Sequence, residues 1–343
     1  MRPVPAIDEI RSIGVEAGLD AVGIAGAEPF ASTRADLEER ASVGISGGMQ
    51  FTYRRPARST DPAAALRGAE ALVVGARRYP AGAGPPPTTL PPTTEPAGRV
   101  AAYAREDHYG ALRDGLAAVA TRLEADGWRT RVVADDNALV DREAAVRAGL
   151  GWYGKNSNVL LPGSGSWFVL GSVITDAPLE PSAPVPDGCG RCRRCLDGCP
   201  TGAIVAPGVV DARRCLAWLV QAPGSIPERF RSALGDRMYG CDDCQEVCPP
   251  NRREEAAASG GWVSVLEVLE ASDEELLRDH GRWYIPERDP RYLRRNALVV
   301  LGNVGRVDDE RVLASLRRYL DDPDPMLREH AGWAARALGM EIP

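Results

Sequence analysis

The chain is short of four things. It has one lysine, Lys155, among 41 basic residues, and only three histidines. It has no apolar run approaching the roughly 18 residues that a membrane-spanning helix needs. Its opening, MRPVPAIDEIRSIGVEAGLD, holds acidic side chains where a secretory signal would be apolar, and carries no twin arginine. The last two lacks exclude a membrane-embedded chain and argue against export, so a cytoplasmic protein with no membrane partner is expected. The lysine shortage, in a chain rich in alanine, glycine and arginine, reads as codon bias rather than chemistry. Basic residues are also fewer than acidic ones, 41 against 48, and the net charge of -7 at face value argues against a nucleic-acid partner. With 44% hydrophobic and 26% charged residues, the chain is neither disordered nor collagenous. Its 343 residues suggest two domains with some remainder, at roughly 150 residues per domain.

Cysteine is plentiful but local. All eight fall between 189 and 248, and in a reducing cytosol such crowding points to metal rather than disulfides. The first four read Cys189-Gly-Arg-Cys192-Arg-Arg-Cys195-Leu-Asp-Gly-Cys199-Pro200, the C-x2-C-x2-C-x3-C-P run of bacterial two-cluster ferredoxins. Three thiolates on one tight loop can cap three irons of a cubane, while the fourth, turned away before Pro200, reaches the other cluster. The second run, Cys241-Asp-Asp-Cys244-Gln-Glu-Val-Cys248-Pro249, lacks its first cysteine, and Cys215 is the candidate to replace it. The crossover rule then gives one [4Fe-4S] cluster to Cys189, Cys192, Cys195 and Cys248, and another to Cys199, Cys215, Cys241 and Cys244. A pair of zinc sites is the alternative, although zinc usually recruits histidine, and His108, His280 and His330 all lie outside the cysteine region. Paired cubanes carry single electrons. A bare electron carrier would need far less chain, so an electron acceptor is expected before residue 189.

Apolar periodicity predicts a helix over 6–19, strands at Asp20–Ala25 and Ala71–Gly75, and a helix over 108–126. A strand at Thr130–Ala134, a helix over Ala138–Ala148 ending at Gly149, and a buried strand at Trp167–Thr175 follow. This alternation favours an α/β domain over residues 1–180. The proline- and threonine-rich stretch between Pro80 and Gly98 reads as a solvated loop. Near the end, Leu293-Arg294-Arg-Asn-Ala297 recurs 34 residues later as Leu327-Arg328-Glu-His-Ala331, each copy preceded by Asp-Pro. Two such helical hairpins resemble a short HEAT-like array, with a plain helical extension as the alternative.

These pieces occur in a recognisable order. Asp135 is followed by Ala148-Gly149-Leu150-Gly151-Trp152-Tyr153-Gly154-Lys155-Asn156, then Gly165-Ser166-Trp167-Phe168 and Leu170-Gly171. After the first cysteine run come Pro200-Thr201-Gly202-Ala203-Ile204, Asp211-Ala212-Arg213-Arg214-Cys215 and Tyr239-Gly240-Cys241-Asp242-Asp243-Cys244-Gln245. Together, over roughly residues 8–251, they resemble the tRNA epoxyqueuosine reductase family. The resemblance implies removal of the epoxide oxygen of epoxyqueuosine at the wobble position of tRNA, giving queuosine, by a cobalamin-dependent reductase related to reductive dehalogenases. It implies an α/β cobalamin-binding domain at 1–180, a ferredoxin-like domain with two [4Fe-4S] clusters at 181–255 and HEAT-like helices at 256–343.

By the same resemblance the proton donor falls on Asp135, with an N-cap as the alternative role and Asp136 able to serve equally as the cap. An aspartate near its ordinary pKa is a poor acid at neutral pH unless burial raises it. The family's corrin contacts fall on Arg58, Tyr103, Asp135, Asn156, Asn158 and Leu170. No Asp-x-His-x-x-Gly motif offers a histidine to cobalt, so a base-off corrin with an open lower face is expected. The chain departs from the family at Asp135-Asp136-Asn137-Ala138, at Ala217–Ala222 and at Pro250, changes that touch the substrate pocket and not the cysteines. Expected partners are a tRNA anticodon stem-loop and a low-potential electron donor, with the protein a monomer. A reductive dehalogenase-like enzyme acting on a small molecule, or an electron carrier, would be the rivals.

The net charge need not exclude RNA, because binding depends on a patch. From Arg282 to Arg318 nine arginines face five acids, and Arg191, Arg193, Arg194, Arg213, Arg214, Arg252 and Arg253 surround the cysteines. These arginines could grip phosphates while an extruded base stacks on Trp218 or Tyr239. A salt-bridged helical surface is the alternative.

Overall fold

The computed structural model describes residues 2–79, 95–253 and 261–340, with the side chains of 252 and 253 left aside. Most of the expected Pro80–Gly98 loop, and the side chains of Arg252 and Arg253, therefore lie outside the described residues.

The first unit is built on a four-stranded sheet. Its strands are β1 (Ala21–Gly26), β2 (Ala71–Arg78), β4 (Thr130–Ala134) and β7 (Phe168–Thr175), in the order β1-β2-β7-β4. Helices α1 (Ile7–Glu16) and α5 (His108–Ala125) cover one face, and α6 (Asp141–Arg147) covers the other. Because both faces are covered, β2 and β7 are apolar almost throughout instead of alternating. Val73 and Val173 face the α1/α5 side, while Leu72, Val74 and Ile174 face α6. Each such buried side chain contributes roughly 1.5–3 kcal/mol. The expected helix–strand alternation is present, but every pairing in this sheet is antiparallel. Since β2 and β4 are each antiparallel to β7, they run the same way, and α5 makes the crossover between them with β7 inserted in the sheet; no two adjacent strands are parallel, so there is no parallel-sheet crevice. Gly75 and Gly171 lie opposite each other across β2 and β7. A Cβ at Gly171 would stand 2.8 Å from both Ala134 and Leu116, so these glycines let α5 pack directly on the sheet beside the end of β4.

Between these elements α2 (Ala31–Ser42), which the periodicity did not suggest, leads to the short helices α3 (Pro56–Ser59) and α4 (Pro62–Ala65). A hairpin of β5 (Trp152–Tyr153) and β6 (Val159–Leu160) precedes β7. The cysteine region holds one-turn helices α7 (Arg194–Asp197) and α10 (Asp243–Glu246), one in each cysteine run, and these pack together. Around them lie β8 (Ile204–Ala206) and β9 (Val209–Val210), then α8 (Leu216–Leu219), α9 (Glu228–Leu234) and β10 (Arg237–Tyr239).

A second sheet joins distant parts of the chain. Strand β3 (Ala97–Val100) pairs with β10 and with β11 (Trp262–Ser264). Ala97 and Gly98, expected in the solvated loop, are thus in a strand: Gly98 lacks a core side chain because a Cβ there would meet the Met238 Cβ at 2.6 Å. The chain ends in α11 (Val265–Glu270), α12 (Asp273–His280), α13 (Arg291–Val304), α14 (Glu310–Leu320) and α15 (Pro325–Ala337). One apolar core runs from Val100 through Leu216, Met238 and Leu266 to Ala335.

The repeated pentapeptides lie on α13 and α15, which pack against each other with Leu293, Ala297, Leu327 and Ala331 buried. Their polar members are buried in equivalent places. Asn296 donates to the Val220 and Met238 carbonyls, and His330 Nε2 accepts from the Ile226 N–H at 3.1 Å. Both copies therefore hold the segment after α8. Among the described residues no helix is long and apolar enough to cross a membrane.

Candidate functional site

Strand β4 ends at Ala134, and the next residue, Asp135, has φ of +53°, one of four non-glycine residues with positive φ among those described. Such a conformation is disfavoured for a side chain with a Cβ, and it turns Asp135 out of the strand direction. Asp135 is not an N-cap: α6 begins six residues later, while Asp136 Oδ1 accepts the Ala138 N–H at 2.9 Å and closes the turn. The Asp135 carboxyl reaches solvent, yet protein crowds around it. Desolvation pushes its pKa up, opposed by the Arg113 guanidinium and aided by Asp136.

Directly behind it, at the start of α6, stands Asp141, whose carboxyl lies within reach of both the Asp135 charge and the Asp135 backbone N–H. One Asp141 oxygen, Oδ1, is buried without a hydrogen-bond partner. Burial, then the neighbouring Asp135 charge, holds the Asp141 carboxyl well above the usual range, so it keeps its proton after Asp135 has lost its own. The Asp135 charge also reaches Tyr109 and Tyr239, whose phenols burial already keeps protonated. One cleft wall is formed by Arg113, Asp114 and residues 132–137. Past Asp136 and Asn137 a second hollow opens, lined by Phe51, Arg54, Arg55 and Arg58.

The floor nearest the cysteines is aromatic. Gln221 Nε2 donates to the Tyr103 hydroxyl at 2.9 Å, and Tyr103 lies beside Tyr239. Tyr239 accepts the Tyr284 N–H at 2.7 Å and stacks on Trp283. Arg142 links this floor to the cysteines: its charge acts on Asp141 and Tyr109 and also on Cys215.

The eight free cysteines fall into two neighbourhoods. Burial, then the Cys195, Cys189 and Cys192 sulfurs, pushes the Cys248 thiol up to about 11. Burial, then Cys215, Asp242 and Cys199, pushes up Cys244, and Cys241 is raised by burial and Asp243 with Cys215 nearby. Among the described residues, no three His, Cys, Asp or Glu side chains converge as the ligands of a single metal ion would. The two cysteine runs carry the ligand spacing of [4Fe-4S] clusters. Backbone N–H groups already face the sulfurs, as from Ala203 to Cys199 Sγ at 3.2 Å.

The residues expected around a corrin do not all face one cavity. Asp135 lines one hollow and Arg58 the adjoining one, the two sharing Asp136 and Asn137, while Tyr103 lies beside Tyr239 and lines neither. Asn156 is buried and turned to the second cysteine group, donating to the Cys244 carbonyl at 3.2 Å while its own oxygen accepts the Asn158 N–H. Leu170 is part of the core on the α6 side of the sheet. The solitary Lys155 is a strap, donating to the Gly190 and Cys192 carbonyls at 2.7 and 2.8 Å across the first cysteine loop.

Two expectations about RNA contacts fail. Trp218 and Tyr239 cannot stack an incoming base: Trp218 is buried and donates to the Gly47 carbonyl, and Tyr239 is covered by Trp283. The arginines from 282 to 318 are not a free basic strip either. Arg291, Arg294, Arg306 and Arg311 pair with carboxylates, and Arg295 is fully buried, donating to the carbonyls of Leu219, Val220, Ala222 and Gly224. Asp289 and Asp308 supply partners from within that stretch, and Asp273, Glu270, Glu95 and Asp324 from outside it. Sequence reasoning also passed over Asp141, Tyr109, Arg142 and the Phe51–Tyr284 pair. Asp141 alone carried a signal, an acid six residues after the candidate donor at a helix start.

Known proteins agree with the geometry. A model of a 4Fe-4S double cluster binding domain matches residues 188–251. Epoxyqueuosine reductase of Xanthomonas campestris pv. campestris is 34% identical, covering 98% of each chain, and that of Bacillus anthracis is 31% identical over 94% of this chain and 86% of its own. A crystal structure of epoxyqueuosine reductase with a tRNA-Tyr epoxyqueuosine-modified tRNA stem loop superposes with a TM-score of 0.87 at 31% identity, covering 97% of this chain and 90% of that one.

Proposed function

This chain belongs to the epoxyqueuosine reductase family, and on that premise we propose that it reduces the epoxide of epoxyqueuosine in the wobble position of tRNA to the alkene of queuosine. The oxygen leaves as water, which requires two electrons and two protons. The observation that carries this reading is the placement of Asp135, a carboxyl with raised proton affinity in an open cleft at the end of β4, in a chain whose eight cysteines gather into two groups.

The residues suit the cofactors this reaction requires. Cys189, Cys192, Cys195 and Cys248 are the proposed ligands of one [4Fe-4S] cluster, and Cys199, Cys215, Cys241 and Cys244 those of the other. The histidines suit a base-off cobalamin: His108 lies against Tyr79, His280 stacks on Trp283, and His330 is bonded to Ile226, so none is offered to cobalt in the cleft. Arg58, Tyr103, Asn158 and the Asp135 loop would hold the corrin, with Asn156 and Leu170 supporting from behind. When bound, cobalamin supplies a strong reductant at the epoxide carbon and the clusters supply it with single electrons.

The chain's own residues supply the proton. Desolvation keeps Asp135 a usable acid closer to neutrality than an ordinary aspartate, and a bound corrin would strengthen that effect. Asp141 stands directly behind the positive-φ turn at Asp135 and backs the loop that carries the carboxyl. Tyr109 and Tyr239 stay neutral beside it and add no competing charge. In this reading 1–180 is the cobalamin-binding α/β unit, 181–255 the ferredoxin-like unit and 256–343 a HEAT-like helical unit. The protein acts as a cytoplasmic monomer fed by a low-potential electron donor.

The test is direct. The clusters are reconstituted anaerobically, cobalamin and reductant are added, and tRNA from cells lacking this protein is digested to nucleosides. Epoxyqueuosine should convert to queuosine. No conversion by protein with full clusters and bound corrin would overturn the reading.

A further inference from the structure

The segment from Phe51 to Arg58 carries three exposed arginines, Arg54, Arg55 and Arg58, whose side chains make no ion pair or hydrogen bond among the described residues. This is unusual for the chain, in which most arginines are matched to a carboxylate or a carbonyl. Three like charges within five residues repel one another and gain nothing from the fold. Yet the segment is held firmly. Ser59 Oγ donates to the Thr52 carbonyl at 3.0 Å, and the Val140 N–H donates to the Ser59 carbonyl at 3.0 Å, tying the segment to the loop that follows Asp135. On its other side the Trp218 indole N–H holds Gly47 at 2.9 Å, and the Phe51 ring lies 4.9 Å from Tyr284 and 6.1 Å from Trp218. Tyr284 is 39% exposed.

We infer that Arg54 and Arg55 form a preorganised lip that grips the phosphates of a single-stranded RNA segment, with the exposed ring of Tyr284 offering a stacking face beside them. The inference rests on the tRNA reading above and adds its docking surface. The lip faces Asp136 and Asn137 across the same hollow, with Asp135 beyond. A polyanionic backbone is drawn to the arginine wall and repelled by the carboxylate wall, so the chain lies along the lip with a base turned inward. Because the lip is already fixed, little ordering entropy is lost on binding. Arg58 is itself a proposed corrin contact and is kept unchanged in every variant.

The experiment titrates a labelled anticodon stem loop against holoprotein at several KCl concentrations. Each phosphate that is no longer gripped should flatten the plot of log K against log salt by about 0.7, so Arg54→Gln/Arg55→Gln should flatten it by about 1.4 and weaken binding most at low salt. Arg54→Lys/Arg55→Lys should restore most of the slope, and Arg306→Ala/Arg311→Ala should leave it unchanged. Cluster absorbance and corrin binding verify that each variant is folded. An unchanged slope in the glutamine variant, or an equal loss in the Arg306/Arg311 variant, overturns the inference while wild-type binding keeps the tRNA reading. A wild type that does not bind the stem loop overturns both. An unchanged RNA slope with slowed reduction by an electron-donor protein would assign the lip to an acidic protein instead.

Discussion

Two parts of this molecule are rich in arginine, the lip at 51–58 and the helices from α13 to α15, and they use it in opposite ways. In the helical part most guanidiniums meet carboxylates or carbonyls, as at Arg294 with Asp273 and Arg295 with the segment after α8, Arg317 and Arg336 being the exposed exceptions among the described residues. At the lip they meet no carboxylate or carbonyl among the described residues. A count of charges along the sequence cannot separate the two, because the partners come from elsewhere in the chain. What separates them is whether a charge is already neutralised when the fold is complete. A paired arginine stabilises, while an unpaired one is available to a ligand.

The comparison predicts that changes on the cleft side cost activity and changes on the helical side cost stability. The sharpest case is Asp135→Asn. Loss of a general acid should reduce epoxide reduction by about 10²–10⁴-fold. A carboxyl whose folded pKa is raised weakens the fold above its unfolded pKa, so at neutral pH the asparagine variant should melt no lower than wild type. In the wild type, single-turnover rates should fall as pH rises through the raised pKa, and that limb should vanish in the variant. Unimpaired reduction by Asp135→Asn would remove the proton-donor assignment.

Arg295→Met is the mirror image. Burial lowers the Arg295 pKa to about 9, yet its guanidinium is the donor for four carbonyls of the segment from Leu219 to Gly224. Methionine fills much of the space but leaves the Leu219, Ala222 and Gly224 carbonyls without that donor, Val220 keeping Asn296, so stability should fall by about 3 kcal/mol in urea unfolding. Stem-loop affinity of the folded fraction should be unchanged. A variant that melted normally but bound RNA poorly would invert the comparison.

Much of this division was legible in the sequence, and the rest was hidden for physical reasons. The strand ending at Ala134, the helix after it and the grouping of the cysteines all follow local rules of period and spacing. The antiparallel order of the sheet did not, because alternating helices and strands suit parallel and antiparallel pairing alike. Gly98 looked like loop since its lack of a side chain reflects Met238, 140 residues away. Asn296 and His330 lie at one position of the repeat, but only the fold shows them bonding the same segment. The pairing of Arg311 with Glu95 and Glu270 is invisible to any window on the sequence.

Asp141 tests how the two sides meet, since it sits in the protein interior and acts on the cleft. Asp141→Asn keeps a neutral acceptor for the Asp135 N–H and should retain most activity with the same alkaline limb. Asp141→Ala removes the polar group that backs the positive-φ turn, and at about 1.5 kcal/mol the loss should slow reduction roughly tenfold. If the asparagine variant instead shifted the pH limb, Asp141 would have to be charged during turnover.

The smallest effect is expected from the ion pairs of the helical surface, and it is informative because it is small. Arg306 and Asp308 are both largely exposed, and Arg311 lies between two half-exposed glutamates. Exposed pairs gain little because water screens them and two long side chains must be held in place, so Arg306→Ala should change stability by less than about 0.5 kcal/mol. The carboxylate left behind would make the surface more negative, so RNA affinity should fall slightly at low salt with the salt slope unchanged. A full unit of salt slope lost at Arg306 would show that its bond to Asp308 is exchanged for a phosphate on binding, and the line drawn between paired and unpaired arginines would fail there.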